Sequence, residues 1–507
     1  MMGSAAHAES IPEVPVAVPA SQPFPVGVTR VLQWAAIAGA SLIALYPFVP
    51  AEWVTAMDPY LRQPFVIQIT HQNVLKVFIL TWSLEGYVQH LVVWALLPAV
   101  LTAVCRAAAT RLSPDPLAPS SSRLRWWAIA AFGVAFFLVT PVDYALNARF
   151  GDGPGLPAQV VHGDIFGAEV ATMHLAHLCY WLGAKVIHSF TGQDAFLLMD
   201  IIVGVGFFVA MHSIAVSLAE NIWERWLLFF GLSASGAAVM FCGYVETTQV
   251  ELCAIAWYCA AAVRVAQEPE GSSLTAARLS ATGAVGLACI AHGAGVLLLP
   301  SLAVLLTSPG GFLKRLRRLV SGDVQLMGWI AVGLPFLLIV VGPFYSRGDL
   351  GNGDGGADHI LFVPMHFDYS QPVSGMVYYA MFSWWHLLEI SNAVWLTASA
   401  AAPLLVAGLL LKRREPLSPE ARRMIQALGV ATLSCAVIPL AWNHDYGMWG
   451  DWNIATCYLF PLNVVGWVLF VTLARPYVRS ARFYVGTVAP LVVIQLGAAL
   501  GLYLQFR

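Results

Sequence analysis

Charge is scarce in this chain: only 11% of its 507 residues are Asp, Glu, Lys or Arg, against 59% hydrophobic residues and a mean hydropathy of +0.71. Soluble globular domains carry about 25% charged and roughly 45–50% apolar residues, so a water-soluble globule is excluded. Formal net charge is −2, and the basic clusters all fall in short gaps between apolar runs, which leaves no surface for nucleic acid. The eight cysteines form no CxxC pair and lie mostly in or at the ends of apolar runs. They read as small buried residues rather than as disulfides or metal ligands. Long polar segments are missing too: 143–196 and 345–392 are too short for an independent catalytic module. No long internal repeat is visible, which weighs against the two related halves of many secondary transporters.

What the chain does have is a series of apolar runs. A bilayer core of about 30 Å needs about 20 mainly apolar helical residues. Runs at roughly 31–49, 84–105, 126–142, 197–218, 226–242, 250–263, 325–344, 393–411, 424–442, 457–474 and 483–503 meet that need. The stretch 276–308 is too long for one helix and short for two. Cytoplasmic loops collect Lys and Arg, and four gaps do so: Arg106 to Arg125, Lys314 to Arg318, Lys412 to Arg423, and Arg475 to Arg482. Arg264 and Arg278 flank a fifth, so an even number of crossings separates Arg278 from Lys314. The stretch 276–308 therefore reads as a tight helical hairpin with His292 and Gly293 near its outer tip. The expected fold is all-α, a polytopic transmembrane bundle of about eleven to thirteen spans, N-terminus inside. Residues 1–29, rich in Pro, Ala and Val without a basic n-region, are expected as a disordered cytoplasmic tail.

The opposite face receives the acids and histidines. After the third run comes Asp143-Tyr-Ala-Leu-Asn-Ala-Arg149-Phe-Gly-Asp152-Gly-Pro-Gly, in which the glycines let the backbone turn tightly. Asp152 is either an Asx-type turn residue or a carboxylate presented to a cavity. Residues 168–190 put Met173, Leu178, Trp181 and Leu182 on an apolar side with His174 and His177 nearby, the pattern of an interfacial helix. The two histidines are interfacial polar residues or, alternatively, metal ligands. The short turn from Gly243 to Gln249 places Glu246 near membrane depth, where an ionisable residue is a functional candidate by default. Glu251 is the weaker candidate, since an acid at a helix start also favours the macrodipole. Two further outer segments run from Met381 to Asn392, with His386 and Glu389, and from Trp442 to Asn453, with His444, Asp445 and Asp451. Interfacial preference explains their aromatics but not the ionisable residues beside them.

Over roughly 126–474 the chain resembles the bacterial integral-membrane glycosyltransferases of the C superfamily (GT-C), which use polyprenyl-phosphate-linked sugars. The resemblance rests on FGDGP with Asp152, the following interfacial helix, GYVE with Glu246, HLLEISN from His386 to Asn392, and GMWGDWN from Gly447 to Asn453. It implies a catalytic bundle over 126–507, with 30–125 an added N-terminal transmembrane hairpin. Asn453 stands where related sequences carry a second acid, so no metal or second-base role is assigned there, and the sequence requires no metal.

The resemblance implies inverting sugar transfer at the extracytoplasmic face of a bacterial inner membrane, with Asp152 as general base, Glu246 as second acid or acceptor-positioning group, and Asp143 as reserve base. A departing phosphate needs donors where negative charge develops. Arg149 and Arg347 are among the few outer cations, with His292, His386 and His444 as further donors and Asp451 in the binding set. The partners would be a polyprenyl-phosphate-sugar donor, membrane lipid, and a glycan, glycolipid or protein acceptor. The main rival is a transporter or flippase, which would carry ionisable groups at mid-span. An oligosaccharide polymerase or ligase would carry clustered Arg in a large outer loop, and this outer surface is Arg-poor. A non-catalytic scaffold is the third alternative.

Overall fold

The computed structural model describes residues 24–45, 97–112, 126–142, 155–164, 169–269, 275–307, 362–363, 365, 380–411, 416–442, 452–477 and 480–505. Every regular element among them is helical, apart from an isolated bridge between Phe362 and Trp442. In chain order these are α1 (Val26–Leu45), α2 (Leu97–Arg111), α3 (Trp126–Val139), α4 (Leu156–His162), α5 (Val170–Val186), α6 (Gly192–Leu218), α7 (Ile222–Ser233), α8 (Gln249–Gln267), α9 (Ala276–Ala291), α10 (Leu299–Leu306), α11 (Trp384–Ala398), α12 (Ala401–Leu410), α13 (Pro419–Cys435) continuing as α14 (Val437–Ala441), α15 (Trp452–Ala474) and α16 (Ala489–Gln505). Five helical stretches among the described residues are long and apolar enough to cross a bilayer, or six if the bent pair α11 and α12 is one span. The chain is a multi-pass membrane protein. The expected run 325–344 and the first part of 84–105 lie outside the described residues.

The centre is built from α6, α8, α13 and α15. Of these, α8 and α15 are the most enclosed, with 89% of their apolar windows buried. Around them α3 and α5 pack on α6, α9 on α8, α10 on α13, and α11 and α12 on α15. The N-terminal helices join the C-terminal one, α1 against α12 and α16 and α2 against α16. Phe207 lies at the middle of an aromatic cluster, 5.1 Å from Phe241 and 5.3 Å from Phe460 between ring centroids.

Local chemistry moves several boundaries. Helix α6 starts five residues ahead of its apolar run because Thr191 and Asp194 form a capping box: Asp194 N–H donates to Thr191 Oγ1 at 3.2 Å, and Thr191 N–H donates to the Asp194 carboxylate at 2.8 Å. The run 226–242 is not one helix. After α7 the chain passes through Ser235 into a 3-10 turn, Gly236–Phe241, where a Cβ on Gly236 would stand 2.9 Å from the Leu396 carbonyl oxygen. The run 393–411 is broken by an 87° bend between α11 and α12. Gln495 of α16 reaches the backbone freed there, its Oε1 accepting from Ala400 N–H at 2.9 Å, while its Nε2 donates to the Gly231 carbonyl in the last turn of α7.

The hairpin expected at 276–308 is formed. Helix α9 ends at His292, and the 3-10 turn Gly293–Leu298 folds back along it, with Gly295 seated on the backbone of Ala288 and Cys289.

Arginines gather at one end of the bundle, where they cap helix C-termini. Arg475 donates to the Leu218 carbonyl at the end of α6, and Arg423 to the Val265 and Glu268 carbonyls at the end of α8. Arg482 donates to Ala109, Thr110 and Leu112 at the end of α2 at 3.1–3.3 Å. Terminal carbonyls have no partner within their own helix and carry the negative end of the dipole, so a cation there satisfies both. Arg475 also lies 3.2 Å from Glu220 and 3.6 Å from the buried Glu224, and Arg278 lies 3.4 Å from Glu268. The starts of α6, α8 and α15 lie at the opposite end, together with the His292 turn.

Candidate functional site

That opposite, acidic end carries a buried polar site around the short connection into α8. Gly243 there has φ +83°, a left-handed conformation that costs an L-residue about 1–2 kcal/mol. The turn it makes is fixed on both sides. Val142 N–H donates to the Cys242 carbonyl at 2.7 Å, and Thr172 of α5 donates its hydroxyl to the Thr247 carbonyl at 2.7 Å. Tyr244 is fully buried, and its hydroxyl accepts from the Trp452 indole N–H at 3.1 Å. Asn453 Nδ2 donates to Thr248 Oγ1 at 3.2 Å, and Gln249 Nε2 donates to the Tyr244 carbonyl. Four of these anchors, from Val142 just after α3 and from α5 and α15, converge on seven residues of loop. These hydrogen bonds tie the connection to the helices around it.

Two carboxylates flank the start of α8. Glu246 is 5% exposed and accepts from the Thr247 N–H at 3.3 Å. Glu251 is fully buried, and its side chain makes no backbone cap; it accepts a hydrogen bond from the Tyr458 hydroxyl of α15. Macrodipole placement alone therefore does not account for it. His292, in the turn after α9, brings Nδ1 to 3.1 Å from the Tyr458 oxygen and 3.7 Å from Glu251. Burial pulls the His292 imidazole down to about 4, so at neutral pH its approach to Glu251 is not an ion pair. Glu169, at the start of α5, is within Coulombic reach of Glu251.

Beneath the Gly243 turn lies Asp200, fully buried on α6 with the Gly243 backbone N–H beside its carboxyl. It sits eight residues into the 27-residue helix. An acid inside an otherwise apolar run is itself a functional signal, and sequence patterning that counts only apolar length passes over it. Tyr458 had no signal in the sequence: a tyrosine in an apolar span reads as packing or as an interfacial anchor.

The HLLEISN segment turns its polar side inward. His386, Glu389 and Asn392, at three-residue spacing on α11, are 0%, 3% and 4% exposed, while Leu387 is 44% exposed. His386 Nε2 meets the Leu440 carbonyl at 3.0 Å; burial lowers its basicity, and that hydrogen bond partly offsets the effect. His292 and His386 therefore have separate partners.

Helix α5 splits its apolar residues between two faces rather than presenting one. Met173, Ala176 and Cys179 are buried, whereas Leu178, Trp181 and Leu182 are 48–49% exposed. His177 is held by the Val160 carbonyl at 2.7 Å. Burial, and then His177, lower the basicity of His174. No group of three or more His, Cys, Asp or Glu among the described residues is arranged to hold a metal ion.

Asp143, Arg149, Asp152, Arg347, His444 and Asp451 lie outside the described residues. Of the expected site residues, Glu246, His292 and His386 are described, all at the acidic end and all largely buried.

No protein-family model and no curated protein matches the chain. Among solved structures it is similar to the Archaeoglobus fulgidus oligosaccharyltransferase in the apo form, at TM-score 0.35 and 13% identity over 80% of this chain and 56% of that one. The archaeal oligosaccharyltransferase AglB from Archaeoglobus fulgidus, in complex with an inhibitory peptide and a dolichol-phosphate, aligns at TM-score 0.37 and 11% identity over 79% and 56%. The chain thus spans a little over half the length of the solved chains it matches.

Proposed function

We propose that the chain is a membrane glycosyltransferase that moves a sugar from a polyprenyl-phosphate donor to an extracytoplasmic acceptor hydroxyl with inversion. One observation carries the reading: an anchored turn holds the Glu246 carboxylate at one end of a membrane bundle, beside helix α5, whose Leu178, Trp181 and Leu182 are exposed. A reaction between a lipid-borne sugar and a polar acceptor needs a carboxylate at the membrane edge and an apolar surface for the lipid chain.

In this reading Asp152, four residues before α4, takes the acceptor proton as the hydroxyl oxygen bonds to the anomeric carbon and the bond to the lipid phosphate breaks. Glu246 positions the acceptor or acts as the second acid, and Asp143 is the reserve base. Arg149 and Arg347, with His292, His386 and His444, supply donors to the departing phosphate, and Asp451 contributes to acceptor binding. Charge-assisted contacts to a phosphate are about twice as strong as neutral ones.

The test is a mass spectrum of surface glycans and glycolipids from a deletion strain and from the strain complemented with Asp152→Asn. The deletion should lack one sugar residue. Complementation with the variant should fail to restore it, because removing a general base costs roughly 10²–10⁴-fold. Full restoration by Asp152→Asn would discard this base.

The buried Asp200 and Glu251 support a second reading, a carrier for a lipid-linked or small polar substrate, since ionisable groups enclosed by spans mark solute and proton paths. Proteoliposomes separate the two: a carrier moves labelled substrate across the membrane unchanged, whereas a transferase leaves polyprenyl phosphate behind.

A further inference from the structure

The hydrogen bonds around His292 cannot all exist while Glu251 is a carboxylate that accepts from Tyr458. Tyr458 has a single hydroxyl hydrogen, which it donates to Glu251 Oε1. The 3.1 Å contact between Tyr458 Oη and His292 Nδ1 then requires a proton on Nδ1. Ala294 N–H, however, points at the same Nδ1 from 3.4 Å and requires it bare. The heavy atoms fit two states, of which only the second keeps the Ala294 contact. In one, Nδ1–H donates to Tyr458, which donates to Glu251; in the other, protonated Glu251 donates to Tyr458, which donates to a bare Nδ1 also approached by Ala294.

We propose that Glu251, Tyr458 and His292 form a proton relay, with His292 as its port and Glu251 as its buried terminus. The burial gradient runs the right way, since the His292 side chain keeps 19% exposure and that of Glu251 none. A proton binds His292 Nε2, giving the imidazolium. Its Nδ1 proton passes to Tyr458 Oη as the Tyr458 hydroxyl proton passes to Glu251. The balance is one proton gained by Glu251, with Tyr458 neutral and His292 left neutral as the Nε2–H tautomer. Burial makes the imidazolium short-lived, which suits a group that passes a proton on rather than keeping it.

The titratable groups around Glu251 are Glu169 of α5, Cys289 of α9, Cys435 of α13, and Cys457 and Tyr458 of α15, with His292 at the turn. Among the described residues this set contains no permanent cation. A relay of this kind serves a transferase or a carrier equally, so the proposal does not depend on the sugar-transfer reading.

The test is time-resolved infrared spectroscopy of the full chain in lipid nanodiscs after an acid jump. A protonated-carboxyl C=O band should rise in the wild type and be missing in Glu251→Gln. Tyr458→Phe, which keeps the ring and removes the hydroxyl, should slow the rise by about a hundredfold, at the low end of what a positioned proton-transferring side chain contributes. His292→Ala should slow it similarly, and added imidazole should restore the rate in His292→Ala but not in Tyr458→Phe. The proposal is overturned if no band depends on Glu251, if Tyr458→Phe protonates as fast as wild type, or if imidazole fails to rescue His292→Ala.

Discussion

Gln495 is a decisive place to test how the bundle tolerates a broken helix inside a membrane. Lipid offers no hydrogen bonds, so every backbone group freed by the 87° bend must find a protein partner. The Gln495 amide, fully buried, satisfies one of these, the Ala400 N–H at 2.9 Å, and also donates to the Gly231 carbonyl in the last turn of α7. Gln495→Leu keeps the volume and removes both bonds. Each orphaned buried group costs about 1–3 kcal/mol, so the variant should lose about 2–6 kcal/mol, less whatever the apolar side chain regains. The assay is reversible unfolding in mixed micelles followed by circular dichroism. Spin labels at the exposed Leu387 and Leu409, on the two arms of the bend, should show a broadened distance distribution in the variant. Gln495→Leu as stable as wild type with an unchanged distribution would refute the argument that this side chain holds the break.

Gly204→Val should destabilise by about 1–3 kcal/mol through overpacking, because a Cβ there would stand 2.6 Å from the Phe137 ring and 2.7 Å from Phe241; a thermal melt checks it. Arg475→Gln should destabilise in a pH-dependent way. Burial raises the Glu224 carboxyl above its usual range, with Arg475 opposing the rise. The folded state therefore binds the more protons in that window, and stability falls as pH rises through it. Without the guanidinium the loss should be largest above the carboxylate range and shrink as Glu224 becomes protonated, so a stability profile equally depressed at all pH values would contradict the pairing. Cysteines at the exposed Glu220 and Arg422 should react with an impermeant reagent from one side of the membrane, and cysteines at Ile187 and Phe382 from the other. Labels at Leu178 and Leu182 should report lipid-phase oxygen accessibility if α5 lies in the interface, whereas aqueous collision rates at both would remove its part in the proposed donor site.

The sequence by itself determined the solvent. Scarce charge and apolar runs of about 20 residues leave a chain no medium but a bilayer. The alternation of basic and acidic gaps likewise sorted the helix ends, and the arginines at 278, 423, 475 and 482 do share one end of the bundle. Local chemistry was legible at the His292 hairpin tip, whereas the Thr191–Asp194 box, which starts α6 ahead of its apolar run, was passed over. What tertiary structure alone decided was pairing at a distance. Glu251 and Tyr458 are 207 residues apart, and Ala400 and Gln495 are 95 apart. No periodicity in either segment encodes such a partner, because hydropathy records how long a run is and not which carbonyl or carboxylate inside it must be satisfied. For that reason Asp200 and Tyr458 passed as parts of apolar spans, and the run 393–411 gave no sign of the bend between α11 and α12.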